Sequence, residues 1–201
     1  MIFNYKFNID LKRISSLVVS KKIRVLDFGC GTGSWDENQI KKLRKLSKIT
    51  LYDKDKNFIK LLKDKYKHNK IKINFNLKSI LKKKDYNLVI FSSVIQYLKK
   101  KELEHLINLF SRNKKEITII IIDIPFLPRI WEFLLLPIFN IKRFFFSLKL
   151  IFSKKYLTKE YYVYAKKYFV KYRKTFNLKL RSNFHDLPIL RYSIILKRKN
   201  F

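Results

Sequence analysis

The chain has 201 residues, a single-domain length, and at 47% hydrophobic and 16% aromatic it can bury a full core, which excludes intrinsic disorder. A lone cysteine, Cys30, excludes a disulfide scaffold and a cysteine-built structural zinc site. The net charge of +32 comes from 37 Lys and 10 Arg spread along the whole chain, which reads as compositional bias more than as the one-sided basic face of a nucleic-acid binder. So positive a field attracts anionic surfaces in either case.

In chain order, Ile2 to Ile9 alternates apolar and polar residues, so no secretory leader is expected there. Ile23–Phe28 predicts a first strand, Ile49–Tyr52 a second and Ile71–Phe75 a weaker third. Tyr86–Phe91 and Ile117–Ile122 predict a fourth and a fifth, apolar on both faces as buried parallel strands are. Stretches of helical period at Asn38–Leu46, Asn57–Tyr66 and Glu102–Phe110 lie between them, so the alternation predicts a βαβ architecture. Beyond Pro125 the texture changes. Phe126–Phe152 is heavily apolar, and a Tyr-rich helix is expected from Thr158 to about Arg173. Phe176–Arg181 and Tyr192–Lys197 predict two closing strands, joined by a loop that holds His185 and Pro188. The expected organisation is a cofactor-binding α/β core over 1–124, a hydrophobic and Tyr-rich helical insertion over 125–175, and closing strands of the same domain over 176–201.

All three glycines of the chain, Gly29, Gly31 and Gly33, stand at alternate positions of one loop between a strand and a helix. Glycine is kept where the backbone needs positive φ or where a ligand comes close. Strand, glycine loop and helix in that order form the context of a nucleotide-cofactor turn. A dinucleotide fingerprint runs G-x-G-x-x-G; here the spacing is G-x-G-x-G, with Ser34 in the place of the last small residue. Asp27, two residues before the first glycine, would repel a pyrophosphate and would suit a cofactor with an ammonium and a sulfonium. Asp53 ends the second strand, where a carboxylate can accept both hydroxyls of a ribose. The plainer reading of Asp53 is an exposed turn acid before Lys54.

The segment Val25-Leu26-Asp27-Phe28-Gly29-Cys30-Gly31-Thr32-Gly33 resembles the first motif of class I S-adenosylmethionine-dependent methyltransferases. Leu51-Tyr52-Asp53 resembles their second, and the stretch from Tyr86 to Leu98 is similar to their fourth strand and the helix start after it. The resemblance covers about residues 10–124 and the closing strands. It implies a Rossmann-like α/β fold, mostly parallel with a closing antiparallel strand, here with a hydrophobic helical insertion after the fifth strand. It also implies S-adenosylmethionine as cofactor, its methionine part facing Asp27, Gly29, Cys30, Gly31 and Gly33 and its ribose held by Asp53. Lys54, Ser92 and Ser93 complete the expected cofactor set. One departure concerns adenine: many members carry an acid after the third strand, and Asn74 to Ile80 has none. Asn76 or Ser79 is left as a neutral acceptor, so a modest cofactor affinity is expected.

Methyl transfer from a sulfonium is an in-line displacement, in which positioning supplies much of the rate and a base is optional. No Asn/Asp-Pro-Pro-aromatic motif follows the fourth strand, where Ser92-Ser93-Val94 stands instead. Asp123-Ile124-Pro125-Phe126 follows the fifth, and either shapes the substrate pocket or is a plain turn. His68 and His105 are expected in solvent. His185 and Tyr97 are the catalytic candidates, His185 as a general base against its reading as an ordinary loop residue. Scattered histidines and one buried-looking cysteine make no metal site.

Between Ile130 and Phe152 the apolar run is broken by Glu132, Pro137, Asn140, Lys142, Arg143 and Lys149, too often for a bilayer-spanning helix. After Pro137, helical spacing sets Lys142, Arg143, Ser147 and Lys149 opposite Ile141, Phe144, Phe145, Leu148, Ile151 and Phe152. That pattern suits a helix lying in a membrane interface or a cap over the active site. The reading is therefore a cytoplasmic methyltransferase with a small-molecule or lipid-linked acceptor, peripheral to the membrane if the stretch meets lipid. An RNA methyltransferase using the basic surface, and a non-catalytic membrane-associated module retaining the fold, are the rivals.

Overall fold

The computed structural model describes residues 23–33, 47–67, 71–82, 85–112, 117–125, 161–182 and 191–199. Its strands are β1 (Ile23–Phe28), β2 (Ser47–Tyr52), β3 (Lys72–Asn74), β4 (Leu88–Ser92), β5 (Thr118–Pro125), β6 (Phe176–Ser182) and β7 (Arg191–Arg198). They form one sheet in the order β3-β2-β1-β4-β5-β7-β6. The first five pair in parallel, and β7 runs antiparallel to β5 and β6. The α/β, mostly parallel reading with an antiparallel closing strand is therefore the fold observed.

The period of two along each strand divides the core between the two faces of the sheet. Val25, Ile49, Leu51, Leu88, Ile90, Ile120 and Ile122 pack with Ile59 and Leu62 of α1 (Lys56–Lys65). Leu26, Phe28, Val89, Phe91, Ile119 and Ile121 pack with Leu103, Leu106, Ile107 and Phe110 of α3 (Lys100–Ser111) on the other face. Both helices are started by carboxylates. Asp55 accepts from the Asn57 backbone N–H at 2.9 Å, and Glu102 reaches back to the Lys99 N–H at 2.6 Å.

Three elements differ from expectation. A short helix, α2 (Leu77–Lys82), follows β3. β5 continues to Pro125, with a register shift between Ile121 and Ile124 against β7. The Tyr-rich helix begins only at Lys166 and is a 3-10 helix ending at Lys174. Before it the backbone spends its donors elsewhere, Tyr162 N–H on Gln96 O at 2.8 Å and Tyr164 N–H on Pro125 O at 3.2 Å. An α-helix could not begin there without giving up those bonds. The helix expected over 38–46, the apolar stretch 126–152 and the loop with His185 lie outside the described residues.

Candidate active site

The parallel strands bring the carboxyl ends of β1, β2, β4 and β5 to one edge, where open α/β sheets bind ligands. The loop after β1 occupies it. Its glycines all have positive φ: 72° at Gly29, 57° at Gly31 and 80° at Gly33. The loop is fastened to β2, since Gly29 and Cys30 N–H both donate to Tyr52 O, at 2.8 and 3.1 Å. Lys65 of α1 donates from Nζ to Gly33 O at 2.7 Å. The glycines differ in their surroundings. A Cβ on Gly29 would lie 2.2 Å from Val94 Cγ2, and one on Gly33 would lie 2.8 Å from Leu62 Cδ2 and Tyr66 Oη. A Cβ on Gly31 would meet no atom of the described residues within 4 Å. Packing demands glycine at the first and third positions; at the second, the backbone faces open space.

Two buried carboxylates frame this loop. Asp53 is not an exposed turn acid: it is 8% exposed, accepts from Gly31 N–H at 2.8 Å through Oδ2, and accepts from Asp55 N–H at 2.9 Å through Oδ1. Asp27, the next-to-last residue of β1, is wholly buried between Leu51 of β2 and Ile90 of β4. Burial, and then the charges of Asp27 and Asp53, push the Cys30 thiol far above its ordinary range. The thiol is inert, and the two buried carboxylates give the loop a negative surrounding. Such a site favours a cation.

Lys54 is exposed beside this loop. Asn76 and Ser79, the expected adenine acceptors, are engaged in starting α2. Asn76 Oδ1 accepts from Ser79 N–H at 3.2 Å, and Ser79 Oγ accepts from Asn74 Nδ2 at 3.2 Å. Phe75 was not anticipated. It is 50% exposed at the end of β3, with Lys56 Nζ 5.8 Å from its ring centroid. Asp53 N–H donates to the neighbouring Asn74 O at 3.3 Å, so this apolar face stands next to the acid that holds the loop.

Across the edge stand two non-glycine residues of positive φ, Ser93 just past β4 at 51° and Asp123 at the register shift within β5 at 64°. Non-glycine residues in this region are strained and cluster at functional sites. Ser93 Oγ donates to Asp123 Oδ2 at 2.6 Å, and Arg191 of β7 donates from Nη1 to the same oxygen at 2.7 Å. Nη2 of Arg191 donates to Tyr161 Oη at 3.0 Å. Tyr97, in a 3-10 turn over Ile95–Tyr97, meets Tyr161 edge to face with centroids 6.5 Å apart. Ser92 is half-buried at the end of β4. The geometry thus brings Tyr97, Ser92, Ser93 and Asp123, the residue read as shaping the pocket or forming a plain turn, to the expected edge, and adds Tyr161 and Arg191. His105 is exposed on α3, away from this cluster, and His185 lies outside the described residues. No group of three His, Cys, Asp or Glu side chains able to hold a metal occurs among the described residues.

A family model described as "Methyltransferase domain" matches residues 25–116, from the middle of β1 to the approach to β5. No curated protein matches the sequence significantly. Solved structures match in fold. Magnesium protoporphyrin IX methyltransferase from Synechocystis PCC 6803, with bound S-adenosylmethionine, has a TM-score of 0.61 at 12% identity, over 97% of this chain and 81% of that one. The plantazolicin methyltransferase BpumL, in complex with S-adenosylhomocysteine, has a TM-score of 0.62 at 18% identity, over 98% and 85%. TehB from Haemophilus influenzae has a TM-score of 0.59 at 15% identity, over 94% and 61%.

Proposed function

We propose that this chain is a class I S-adenosylmethionine-dependent methyltransferase, which transfers the cofactor's methyl group to a small acceptor held at the ends of β4 and β5. The observation that carries the reading is the space over Gly31, beside a backbone with positive φ and within the field of two buried carboxylates. A sulfonium and an ammonium fit that potential; a pyrophosphate does not.

The chain's own residues divide the work. Asp53 fixes Gly31 and keeps lone pairs on both oxygens for ribose hydroxyls, since each oxygen receives a single backbone donor. Asp27 supplies negative charge beneath the methionine part. Phe75 offers a flat apolar face for adenine, with Asn76 and Ser79 beside it, and exposed Lys54 borders the ribose. Ser92 and Ser93 line the way to the acceptor. When bound, S-adenosylmethionine supplies an electrophilic methyl carbon; the protein contributes alignment and the exclusion of water. The apolar stretch 126–152 supports a lipid-linked acceptor as the finer reading.

Isothermal calorimetry with S-adenosylmethionine and with a nicotinamide dinucleotide tests the assignment. The first is expected to bind and the second not, and tighter binding of the dinucleotide overturns it. Gly31→Val is expected to abolish cofactor binding while leaving the sheet's circular dichroism intact, because its side chain enters ligand space and not the core.

A further inference from the structure

We propose that Tyr161 is the catalytic residue that takes the proton from a hydroxyl acceptor, with Arg191 as its positioning residue. The inference rests on the methyltransferase reading and deepens it, by naming the acceptor class as an alcohol or phenol.

Place comes first. The backbone around Tyr161 is tied across the carboxyl edge, by Tyr162 N–H to Gln96 O and Tyr164 N–H to Pro125 O. Tyr161 therefore stands over the ends of β4 and β5. Ser93, three hydrogen bonds removed through Arg191 and Asp123, directly precedes Val94, the residue packed against the first glycine of the cofactor loop. The acceptor side and the cofactor side meet at that peptide.

Chemistry comes second. A guanidinium hydrogen bond to a phenol oxygen favours the phenolate over the phenol. Among the described residues, Tyr161 is faced by Arg191 from β7, Tyr97 from the 3-10 turn and, beyond the guanidinium, Asp123 from β5. Asp123 opposes ionisation, but its Oδ2 is shared between Ser93 and the other terminal nitrogen of Arg191. The same carboxylate holds the guanidinium in place, and Arg191 is only 14% exposed, so little of the interaction is lost to water. In the transfer, the acceptor's O–H bond breaks and its proton passes to Tyr161 Oη. The acceptor oxygen forms a bond to the methyl carbon as the carbon–sulfur bond breaks, its electron pair staying on sulfur. Tyr161 then releases the proton to water.

The test joins a spectroscopic readout to a kinetic one, on the full chain. Phenolate absorbance is titrated in wild type, Tyr161→Phe and Arg191→Lys. Tyr52, Tyr86, Tyr164, Tyr168, Tyr172 and Tyr192 are pushed up by burial, and the difference against Tyr161→Phe isolates the Tyr161 phenol from the rest. Wild type minus Tyr161→Phe is expected to show one phenolate forming below the ordinary value of about 10, shifted upward in Arg191→Lys, which loses the fork geometry. Transfer of labelled methyl from S-adenosylmethionine to phenol and catechol is expected to fall by about 100-fold or more in Tyr161→Phe, with cofactor affinity unchanged. A Tyr161 phenol that titrates at or above the ordinary value, or wild-type protein that binds cofactor yet methylates neither phenol, overturns the inference. Absence of cofactor binding in wild type overturns instead the reading on which it rests.

Discussion

A single carboxylate, Asp53, holds both the second glycine of the loop and the first turn before α1, through Gly31 N–H and Asp55 N–H. Hydrogen bonds to a charged group are worth about 1.5–3 kcal/mol each, and Asp53→Ala is expected to weaken S-adenosylmethionine binding by that amount. Because the same oxygens tie the loop in the free protein, its melting temperature should fall as well; calorimetry and a thermal melt read the two effects separately. An unchanged dissociation constant would reduce Asp53 to a loop tether. The glycines separate in the same way. Gly29→Ala puts a methyl 2.2 Å from Val94 Cγ2 at a φ of 72°, and is expected to destabilise the fold by about 2 kcal/mol or more. Gly31→Ala, with open space at 57°, should cost about 1 kcal/mol of stability by denaturant titration, from the backbone term alone. The glycine loop and Asp53 are legible in the sequence because they act over short, fixed spacings from strands that announce themselves. The Ser93, Asp123, Arg191 and Tyr161 network is not. Asp123 and Arg191 are 68 positions apart, and only strand order brings them together.

Among elements, β1, β4 and β5 could be read from their apolar and β-branched runs, since a parallel centre buried on both faces admits little else, and β7 from its alternation of buried and part-exposed residues. α2 escaped for a physical reason: six residues offer too few turns for a period to show, and its start depends on Asn76, whose side chain accepts from Ser79 N–H. The segment from Tyr161 to Lys174 has helix-like spacing, yet its first residues donate to Gln96 and Pro125. Its aromatic rings are nevertheless core: Tyr164 and Phe169 are fully buried, and Tyr164 Oη donates to Leu98 O at 2.6 Å. This makes the element sensitive to alkali. Burial, the first cause in each case, raises Tyr164, Tyr172 and Tyr192 in the folded chain, whereas in the unfolded chain their phenols ionise near about 10. The stability they contribute is full below that unfolded value and is lost as pH rises above it. Thermal melts from about pH 8 to 11.5 should therefore hold level and then fall, with phenolate absorbance rising together with the loss of ellipticity. Tyr172→Phe should make the fall shallower. A melting temperature that climbs through this range would show that relief of lysine repulsion outweighs the tyrosines.

For the whole molecule, the net charge of +32 and the apolar stretch 126–152 make separable demands on a membrane surface. No helix among the described residues is long and apolar enough to cross a bilayer; in 126–152, Pro137 and the charged residues that break the apolar run point to peripheral contact with lipid. Lys142, Arg143 and Lys149 stand within an aromatic run, and each basic residue near anionic head groups adds about 1 kcal/mol of attraction that salt screens. The remaining lysines add attraction of the same kind, so binding to anionic vesicles at low salt tests the charge alone. Apolar insertion differs: it persists in high salt and extends to neutral lipid. In vesicle flotation, wild-type protein is expected to float with anionic vesicles at low salt and to keep a smaller fraction bound at high salt. Lys142→Glu with Arg143→Glu should release much of the low-salt fraction, and Phe144→Asp with Phe145→Asp the salt-resistant one, neither changing cofactor affinity. Because the aromatic pair carries no charge, loss of salt-resistant binding on its replacement would assign the contact to insertion. Wild-type protein that stays unbound at low salt would make the stretch a cover for the acceptor site, and the acceptor a soluble one.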